Sequence, residues 1–349
     1  MSEFHPLQVA SVEQLTPNAV ALSFEVPDAI KDRFQFKAGQ YITIKKELNG
    51  EEVRRAYSIS SSPSSGKLTV GIKKMKNGTF SVHANESIHQ GDVLEVMPPE
   101  GRFVFEQDKK SYTIAAFAAG SGITPIISIA ETVLQGNEEN NFVLVFGNQS
   151  AVETMYKREI ENLQKKYPDR FFVQWIFSRT TENNAIFGRI ERATVNLVLK
   201  NKFKAFDFDA FYLCGPEEMI TTVSDTLKDN GVAEENILFE LFTASTAENN
   251  TVESFDGTTK VTVVLDDEAH EFTMDQKAYL LDAVLKNDID APYSCQGGVC
   301  SSCIARIVEG KADMVKNQIL TDSEVAEGLV LTCQALVRTP QLKVDYDDV

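Results

Sequence analysis

Alternating apolar and polar residues in short runs dominate the first hundred positions, and this two-residue period predicts β-strands. Asn49-Gly50 lies between two of the runs and is a typical two-residue hairpin turn. The predicted strands span residues 7–13, 20–25, 40–46, 53–60, 67–73 and 93–97. Many short strands at this spacing favour a small antiparallel β-barrel.

The pattern changes near Ser111, where apolar strands begin to alternate with amphipathic helices. The predicted strands are 112–118, 142–146, 171–177 and 210–213, and the predicted helices are 124–134, 153–166 and 217–229. Strands and helices in alternation predict a doubly wound α/β domain with a parallel sheet.

A polar stretch at 243–259 is poor in large apolar residues and predicts a linker. After it, a hairpin (260–265 and 271–274) and a helix (276–286) predict a small α+β domain. We therefore expect three domains, at residues 1–107, 108–243 and 260–349, with a linker at 244–259.

Composition and charge limit the classes of function. The 349 residues are 43% hydrophobic and 24% charged, as in folded multidomain proteins. A net charge of −17 argues against nucleic-acid binding, which depends on Lys and Arg. Residues 257–349 hold 16 Asp or Glu against 8 Lys or Arg, an excess that serves solubility or steers a basic partner surface.

The amino-terminal residues lack a basic start followed by an apolar run, so no secretory signal is predicted. The apolar stretch 112–134 contains Gly120, Gly122, Pro125 and Glu131, which favour strand, turn and helix over a membrane span. We expect a cytoplasmic protein that does not enter the membrane.

Four of the five cysteines form the pattern C-x4-C-x2-C-x29-C, at Cys295, Cys300, Cys303 and Cys333. This is the plant-type ferredoxin spacing for a two-iron, two-sulfur (2Fe-2S) cluster. Gly297 and Gly298 allow the tight loop that such a cluster needs. A structural zinc site is the alternative, but it usually presents two short C-x2-C pairs, and only one is found here.

Arg55-Ala56-Tyr57-Ser58 resembles the R-x-Y-S flavin motif of the ferredoxin-NADP reductase superfamily. The resemblance implies that Arg55 binds the flavin pyrophosphate, that Tyr57 packs on the flavin and that Ser58 lies near flavin N5. Gly78-Thr79-Phe80-Ser81 resembles the second flavin-phosphate segment, in which Ser81 at a helix start meets the pyrophosphate. By this analogy FAD is expected rather than FMN.

Gly120-Ser121-Gly122-Ile123-Thr124-Pro125 follows a strand and opens a helix, so its glycines are expected to let a cofactor diphosphate approach the backbone. The full G-x-G-x-x-G is absent, and the segment resembles the G-x-G-I-T-P of the same superfamily, which places Thr124 near the nicotinamide. Cys214-Gly215-Pro216 resembles its C-G-P, which places Cys214 beside the hydride-transfer position; otherwise Cys214 is a buried small hydrophobe.

Ser178 and Arg179 end another strand, and the resemblance implies that they contact the adenosine ribose. An arginine there suits a 2′-phosphate, so we expect NADPH, with NADH possible. Glu240 and Phe242 match the last strand before the linker, where an aromatic residue covers the flavin; a core strand is the alternative. The resemblance thus implies catalytic roles for Ser58, Cys214 and Glu240.

The domain order resembles the reductase components of bacterial multicomponent oxygenases, and among these the phenylacetyl-CoA epoxidase reductases. It implies electron transfer from NAD(P)H through FAD and the cluster to an oxygenase component, with flavin converting two-electron into one-electron transfer. Another hydroxylase, a dioxygenase or a soluble ferredoxin could be the acceptor instead. From a different class, the chain could be a redox-sensing binding module.

Overall fold

The computed structural model describes residues 3–242 and 257–349. The chain forms two compact units. One comprises His5–Val53 and Tyr57–Phe242, and the other comprises, among the described residues, positions 3–4, Arg54–Ala56 and positions 257–349. The predicted linker lies outside the described residues except for its last three positions, of which Thr258 and Thr259 already belong to a strand.

The first unit begins with an antiparallel six-stranded sheet in the order β4-β3-β6-β1-β2-β5. Its strands are β1 (His5–Thr16), β2 (Ala19–Glu25), β3 (Tyr41–Leu48), β4 (Glu51–Ser58), β5 (Leu68–Lys73) and β6 (Val93–Val96), and helix α1 (Thr79–Glu86) lies between β5 and β6. A bridge between Ile59 and Val70 joins the two edge strands and closes the sheet into a barrel. Asn49 and Gly50 both have positive φ, as the predicted β3–β4 hairpin requires.

The second part of this unit is a six-stranded parallel sheet in the order β10-β9-β8-β7-β11-β12. Its strands are β7 (Thr113–Ala119), β8 (Asn141–Asn148), β9 (Phe171–Phe177), β10 (Ala185–Phe187), β11 (Ala210–Gly215) and β12 (Ile237–Leu241). Its helices are α2 (Ile123–Gly136), α3 (Lys157–Lys166), α4 (Arg192–Asn196) and α5 (Glu217–Asp229). The predicted doubly wound α/β fold is confirmed.

Two hydrophobic cores stabilise this unit. One fills the barrel around Leu22, Ile42 and Ile44, each fully buried. The other is centred on the parallel sheet and also takes in Phe103 and Phe105, which follow the barrel. Because this core includes side chains from both domains, the barrel and the parallel sheet fold against each other as a single unit.

The carboxyl-terminal unit is a mixed five-stranded sheet in the order β14-β13-β19-β15-β17 with an additional β16–β18 pair. Its strands are β13 (Thr258–Leu265), β14 (Glu268–Asp275), β15 (Ile304–Glu309), β16 (Ala312–Met314), β17 (Leu329–Leu331), β18 (Ala335–Val337) and β19 (Gln341–Asp345), and its helices are α6 (Leu280–Lys286) and α7 (Asp322–Ala326). The parallel pairing of β13 with β19 beside antiparallel hairpins agrees with the predicted β-grasp ferredoxin fold.

Two predicted helices begin later than expected. Helix α3 starts at Lys157 and not at 153, because Tyr156 has a left-handed φ of 57° and is buried. Helix α6 starts at Leu280 and not at 276, because Tyr279 is extended and forms a β-bridge with Leu336. In both cases a tertiary contact overrides the local helical pattern.

Candidate redox site

The end of strand β4 presents the three residues of the predicted flavin motif in different environments. Arg55 is exposed, Tyr57 is half-buried and Ser58 is buried. The Tyr57 ring packs against Phe80 of α1 with 5.7 Å between ring centroids. The strand therefore leaves the Arg55 guanidinium accessible and holds the Tyr57 ring against α1.

Ser58, Cys214 and Glu240 are brought together, as expected for a common site. The Ser58 hydroxyl donates to Glu240 Oε2 at 3.1 Å, and Cys214 and Glu240 are register partners on β11 and β12. Burial raises the pKa of Glu240 to about 8, while the hydrogen bond from Ser58 lowers it. Burial, and then the Glu240 charge, raise the pKa of the Cys214 thiol. The geometry therefore holds a neutral thiol beside a carboxyl group that titrates above neutrality.

The turn before α2 is built around glycines. A Cβ on Gly122 would lie 2.1 Å from the Cys214 carbonyl oxygen, so the protein's own backbone fills the space on that side of Gly122. Gly120, by contrast, has a φ of +56° and no backbone within contact of its Cβ position. Thr124 is buried, and its hydroxyl donates to the Ser121 carbonyl at 3.1 Å.

The second glycine segment packs against the first. A Cβ on Gly215 would lie 3.2 Å from the Cβ of Ala119 at the end of β7. Pro216 is the residue directly before the first turn of α5. Gly122 and Gly215 therefore let the ends of β7 and β11 approach closely. This close approach places the Cys214 backbone against the turn that precedes α2.

Ser178 and Arg179, which were predicted to contact the ribose, follow the end of β9 beside the end of β8. The backbone amides of Ser178 and Arg179 donate to the carbonyls of Asn148 and Gln149 at 3.0 and 2.9 Å, and the Arg179 side chain is exposed. Asn148 Nδ2 and Thr180 Oγ1 are buried at this edge, and neither has a hydrogen-bond partner within the part of the chain that the structure describes. Buried polar atoms normally are paired, so these two fit a polar ligand such as a nucleotide.

Asn148, Thr180 and Lys73 were missed by the sequence analysis. Each follows or ends an apolar strand, which is the signal that could have identified them. Lys73 Nζ lies 3.6 Å from the position that a Cβ on Gly120 would occupy, so a cation from the barrel stands beside the glycine turn. An ammonium group there suits an anionic cofactor.

Ser81 lies in the first turn of α1, as predicted, but its hydroxyl is already engaged. Its Oγ accepts a hydrogen bond from the Met75 amide at 3.1 Å, and the residue is buried. Gly78 accommodates this hydroxyl, because a Cβ there would lie 2.3 Å from it. Phe242, directly after β12, is half-buried and packs against the core of the parallel sheet.

The four predicted cluster ligands are gathered at one end of the carboxyl-terminal unit. The thiols form a chain of hydrogen-bonded neighbours in the order Cys300, Cys295, Cys333 and Cys303. No group of three or more His, Cys, Asp or Glu side chains in residues 3–242 and 257–349 closes around one point as a metal ion requires.

The loop between Cys295 and Cys303 is shaped to surround a group larger than a thiol. Gln296 and Gly298 have positive φ, and a Cβ on Gly298 would lie 2.8 Å from the Lys316 carbonyl. The hydrogen bonds from the Cys300 and Cys333 thiols, then those from the Gly297 and Val299 amides, lower the pKa of Cys295. Ser294 Oγ is buried without a hydrogen-bond partner among the described residues. Backbone amides directed at sulfur, four cysteines and an unpaired hydroxyl fit a 2Fe-2S cluster.

Two residues beside Cys333 tie it to both ends of that loop. Thr332 Oγ1 donates to the Cys303 carbonyl at 2.9 Å and accepts from the Tyr346 hydroxyl at 3.0 Å. Gln334 Nε2 donates to the Gln296 carbonyl at 3.0 Å. The side chains of Thr332, Gln334 and Tyr346 are all buried. The fourth cysteine is therefore held in register with the other three, although 29 residues separate it from Cys303 in the sequence.

Replacing Tyr346 with Phe is expected to accelerate loss of the cluster to an iron chelator by about 5-fold, because it removes one buried hydrogen bond, worth roughly 1 kcal/mol. Bleaching of the visible absorbance in the presence of chelator measures the rate. Tyr279→Phe is the control, since its ring is half-buried in the same unit and the hydroxyl of Tyr346, not that of Tyr279, donates to Thr332. Equal rates in the two variants would contradict the role given to Tyr346.

Comparisons with known proteins agree with each domain. Residues 6–105 match the oxidoreductase FAD-binding domain, residues 117–225 the oxidoreductase NAD-binding domain, and residues 263–338 the 2Fe-2S iron-sulfur cluster binding domain. The chain is 37% identical to a subunit of the 1,2-phenylacetyl-CoA epoxidase of Escherichia coli, over 99% of both chains. It is 31% identical to the ferredoxin reductase component of 3-ketosteroid-9-alpha-monooxygenase of Rhodococcus rhodochrous, over 97% of this chain and 96% of that one.

The solved structure of phthalate dioxygenase reductase has a similar fold, with a TM-score of 0.62, 23% identity and coverage of 98% of both chains. The chain therefore belongs to the ferredoxin-NADP reductase superfamily, among its members with a carboxyl-terminal 2Fe-2S domain. It is an NAD(P)H-dependent reductase of the kind that forms components of oxygenase systems. Among the described residues, no helix combines the length and apolar character needed to span a membrane.

Proposed function

We propose that this reductase oxidises NADPH and supplies single electrons to the oxygenase component of a 1,2-phenylacetyl-CoA epoxidase. The observation that carries the proposal is the 37% identity to the Escherichia coli epoxidase subunit over nearly the full length of both chains. NADPH and a set of reduced cysteines are both expected in the cytoplasm, where we place the protein.

The proposed cofactor sites follow the residues described above. FAD when bound accepts a hydride and gives up its electrons singly, and the cluster carries them one at a time. Residues at the end of β4 and the start of α1, with one more from the end of β12, are assigned to FAD: Arg55, Tyr57, Ser58, Ser81 and Phe242. Residues at the carboxyl edge of the parallel sheet are assigned to the nicotinamide nucleotide: Gly120, Gly122, Thr124, Ser178, Arg179, Gly215 and Pro216.

The chain's own side chains provide positioning and proton control at this site. Ser58 and Glu240 form a hydrogen-bonded pair on one side, and Cys214 presents a buried neutral thiol on the other. Lys73 adds a positive charge beside Gly120, which suits the cofactor diphosphate. In the carboxyl-terminal unit, Cys295, Cys300, Cys303 and Cys333 hold the cluster, and Thr332 and Gln334 fix their spacing.

The acceptor is tested by mixing reduced protein with purified oxygenase components. We expect the component of a 1,2-phenylacetyl-CoA epoxidase to be reduced with NADPH as donor, faster than the component of a 3-ketosteroid-9-alpha-monooxygenase. The steroid system is the second candidate, because its reductase is 31% identical over nearly the whole chain. Reduction of the steroid component alone would replace the first proposal by the second. If the protein reduces neither oxygenase component and does not reduce cytochrome c, a redox-sensing module would be favoured instead.

The preference for NADPH is expected to depend on Arg179. Its exposed guanidinium at the end of β9 suits a 2′-phosphate, and a charged hydrogen bond is worth about 1.5–3 kcal/mol. Arg179→Ala should therefore lower kcat/KM for NADPH by about 10- to 100-fold and change that for NADH less than twofold. Steady-state kinetics with both nucleotides measure the ratio, with Arg192→Ala, an exposed arginine paired with Asp229, as the control. An equal loss with NADPH and NADH would contradict the assignment.

Glu240 should make stability depend on pH. Its pKa is raised from 4.5 to about 8 in the folded chain, so the folded state binds more protons than the unfolded state between these values. The contribution of Glu240 to stability is therefore complete below about pH 4.5 and is lost as the pH rises through 8. Comparison of the unfolding midpoint of the wild type with that of Glu240→Gln, which stays neutral, should show a difference that grows between about pH 4.5 and about pH 8 and is constant above it. Parallel curves for the two proteins would show that Glu240 does not titrate in this range.

A further inference from the structure

A serine-rich segment after β4 makes a row of contacts with the parallel-sheet domain. Ser128 Oγ of α2 donates to the Ser61 carbonyl at 2.7 Å, and Ser64 Oγ donates to Gln135 Oε1 of the same helix at 2.5 Å. The Glu131 carboxyl, also on α2, is hydrogen-bonded to Ser62. Positions 128, 131 and 135 lie on one face of α2. The segment therefore holds the barrel to that face.

Tyr156 makes the most buried of these contacts. Its hydroxyl donates to Ser60 Oγ at 2.7 Å, and Ser60 in turn donates to the Thr69 carbonyl of β5 at 3.1 Å. Tyr156 has a left-handed φ of 57°, which is uncommon for a residue with a side chain and must be maintained by its surroundings. The barrel thus stabilises a strained residue of the other domain.

Gly71 of β5 sets how closely the two domains approach at this point. A Cβ on Gly71 would lie 2.6 Å from the Tyr156 hydroxyl oxygen and 2.8 Å from Thr124 Cγ2. The side chains of Tyr156 and Thr124 therefore pack directly on the backbone of β5 at Gly71, where the strand has no side chain. Any residue larger than glycine would push the parallel-sheet domain away from the barrel.

The contact of Tyr156 with Ser60 and Gly71 lies close to residues that are assigned to the two cofactors, which gives it a role in the reaction. Ser58, assigned to the flavin, is two residues from Ser60, and Thr124, assigned to the nicotinamide, touches the same glycine as Tyr156. The two assigned sites belong to different domains, so the domain spacing sets the distance between their ligands. A displacement of about 1 Å between reacting groups can cost on the order of 100-fold in rate.

We propose that Tyr156 is a positioning residue for flavin reduction, which acts with Ser60 and Gly71 to fix the spacing of the two domains. The inference rests on the proposed assignment of flavin to Ser58 and of nicotinamide to Thr124. Tyr156 touches neither reacting group in this account and acts through the domain contact alone.

The test is anaerobic stopped-flow reduction of the FAD-loaded protein by NADPH over a range of NADPH concentrations. Tyr156→Phe should slow the limiting rate of flavin reduction by about 10-fold and change the apparent Kd for NADPH less than twofold, because orientation and not affinity is lost. Ser60→Ala should slow it similarly, and the double variant should be no slower than either single one. Tyr167→Phe, at the other end of α3, is the matched control and should react as the wild type does.

Gly71→Ala separates spacing from hydrogen bonding, because it keeps the Tyr156 hydroxyl and displaces the ring. We expect its limiting rate to fall at least as far as that of Tyr156→Phe, with the deuterium isotope effect from 4-deuterated NADPH retained or increased. Unchanged limiting rates in Tyr156→Phe and Gly71→Ala, with only the unfolding temperature lowered, would overturn the inference. If the wild type itself is not reduced by NADPH or NADH, the proposed function fails instead.

Discussion

Replacing Cys300 with Ser should abolish electron delivery to cytochrome c while leaving reduction of the flavin by NADPH intact. Cys300 is a buried thiol in the chain of four, and a serine hydroxyl is a poor substitute for a thiolate as an iron ligand. We expect cytochrome c reduction to fall by on the order of 100-fold or more, equivalent to about 2.7 kcal/mol of lost catalysis.

Steady-state cytochrome c reduction and stopped-flow bleaching of the flavin are the two measurements for this variant. Val299→Ala is the control, since it shortens the neighbouring side chain but keeps the amide that contributes to lowering the Cys295 pKa. Loss of flavin reduction in Cys300→Ser would indicate a general folding defect. Full cytochrome c activity would show that electrons leave the protein without passing the four cysteines.

Among glycine-to-alanine substitutions in the parallel-sheet domain, Gly122→Ala should lower stability and activity the most. The added Cβ would lie 2.1 Å from the Cys214 carbonyl oxygen and 2.9 Å from the Gly215 nitrogen, and both are backbone atoms that cannot rotate away. The backbone φ at Gly122 is −60°, which alanine adopts freely, so the effect comes from overlap alone.

We expect Gly122→Ala to lower the free energy of unfolding by about 3 kcal/mol and to slow flavin reduction by more than about 10-fold, because Cys214 is displaced with the backbone. Chemical denaturation and anaerobic flavin reduction measure the two effects. Ser121→Ala in the same turn should unfold within about 0.5 kcal/mol of the wild type. An unfolding free energy for Gly122→Ala equal to that of Ser121→Ala would refute the close approach described here.

The elements that the sequence predicted well are those with strong local signals. The barrel strands have a two-residue period, the Asn49-Gly50 hairpin has its turn residues, and the ferredoxin loop has its cysteine spacing. Each of these signals lies within a few residues of the element it specifies, except that Cys333 comes 29 residues after Cys303. Local sequence was therefore sufficient for the fold class, and the four cysteines stay predicted ligands.

The features that the sequence did not predict depend on contacts between distant residues. Tyr156 delays the start of the helix predicted from residue 153 because of its environment against Gly71, 85 positions earlier. Gly122 belongs to a glycine motif associated with diphosphates, yet its open side is filled by Cys214. Tyr346 has no motif, and its place beside Thr332 follows from the pairing of β15 with both β19 and β17. A pattern along the chain cannot reveal which distant backbone will occupy a space.

The most direct test is anaerobic titration of the purified, cofactor-containing protein with NADPH, followed by visible absorbance and electron paramagnetic resonance. We expect bleaching of flavin and iron–sulfur absorbance and a resonance signal from a reduced 2Fe-2S cluster, which is absent from Cys300→Ser. Protein isolated without air that contains zinc or no metal at the four cysteines, and that shows no such signal, would contradict this expectation.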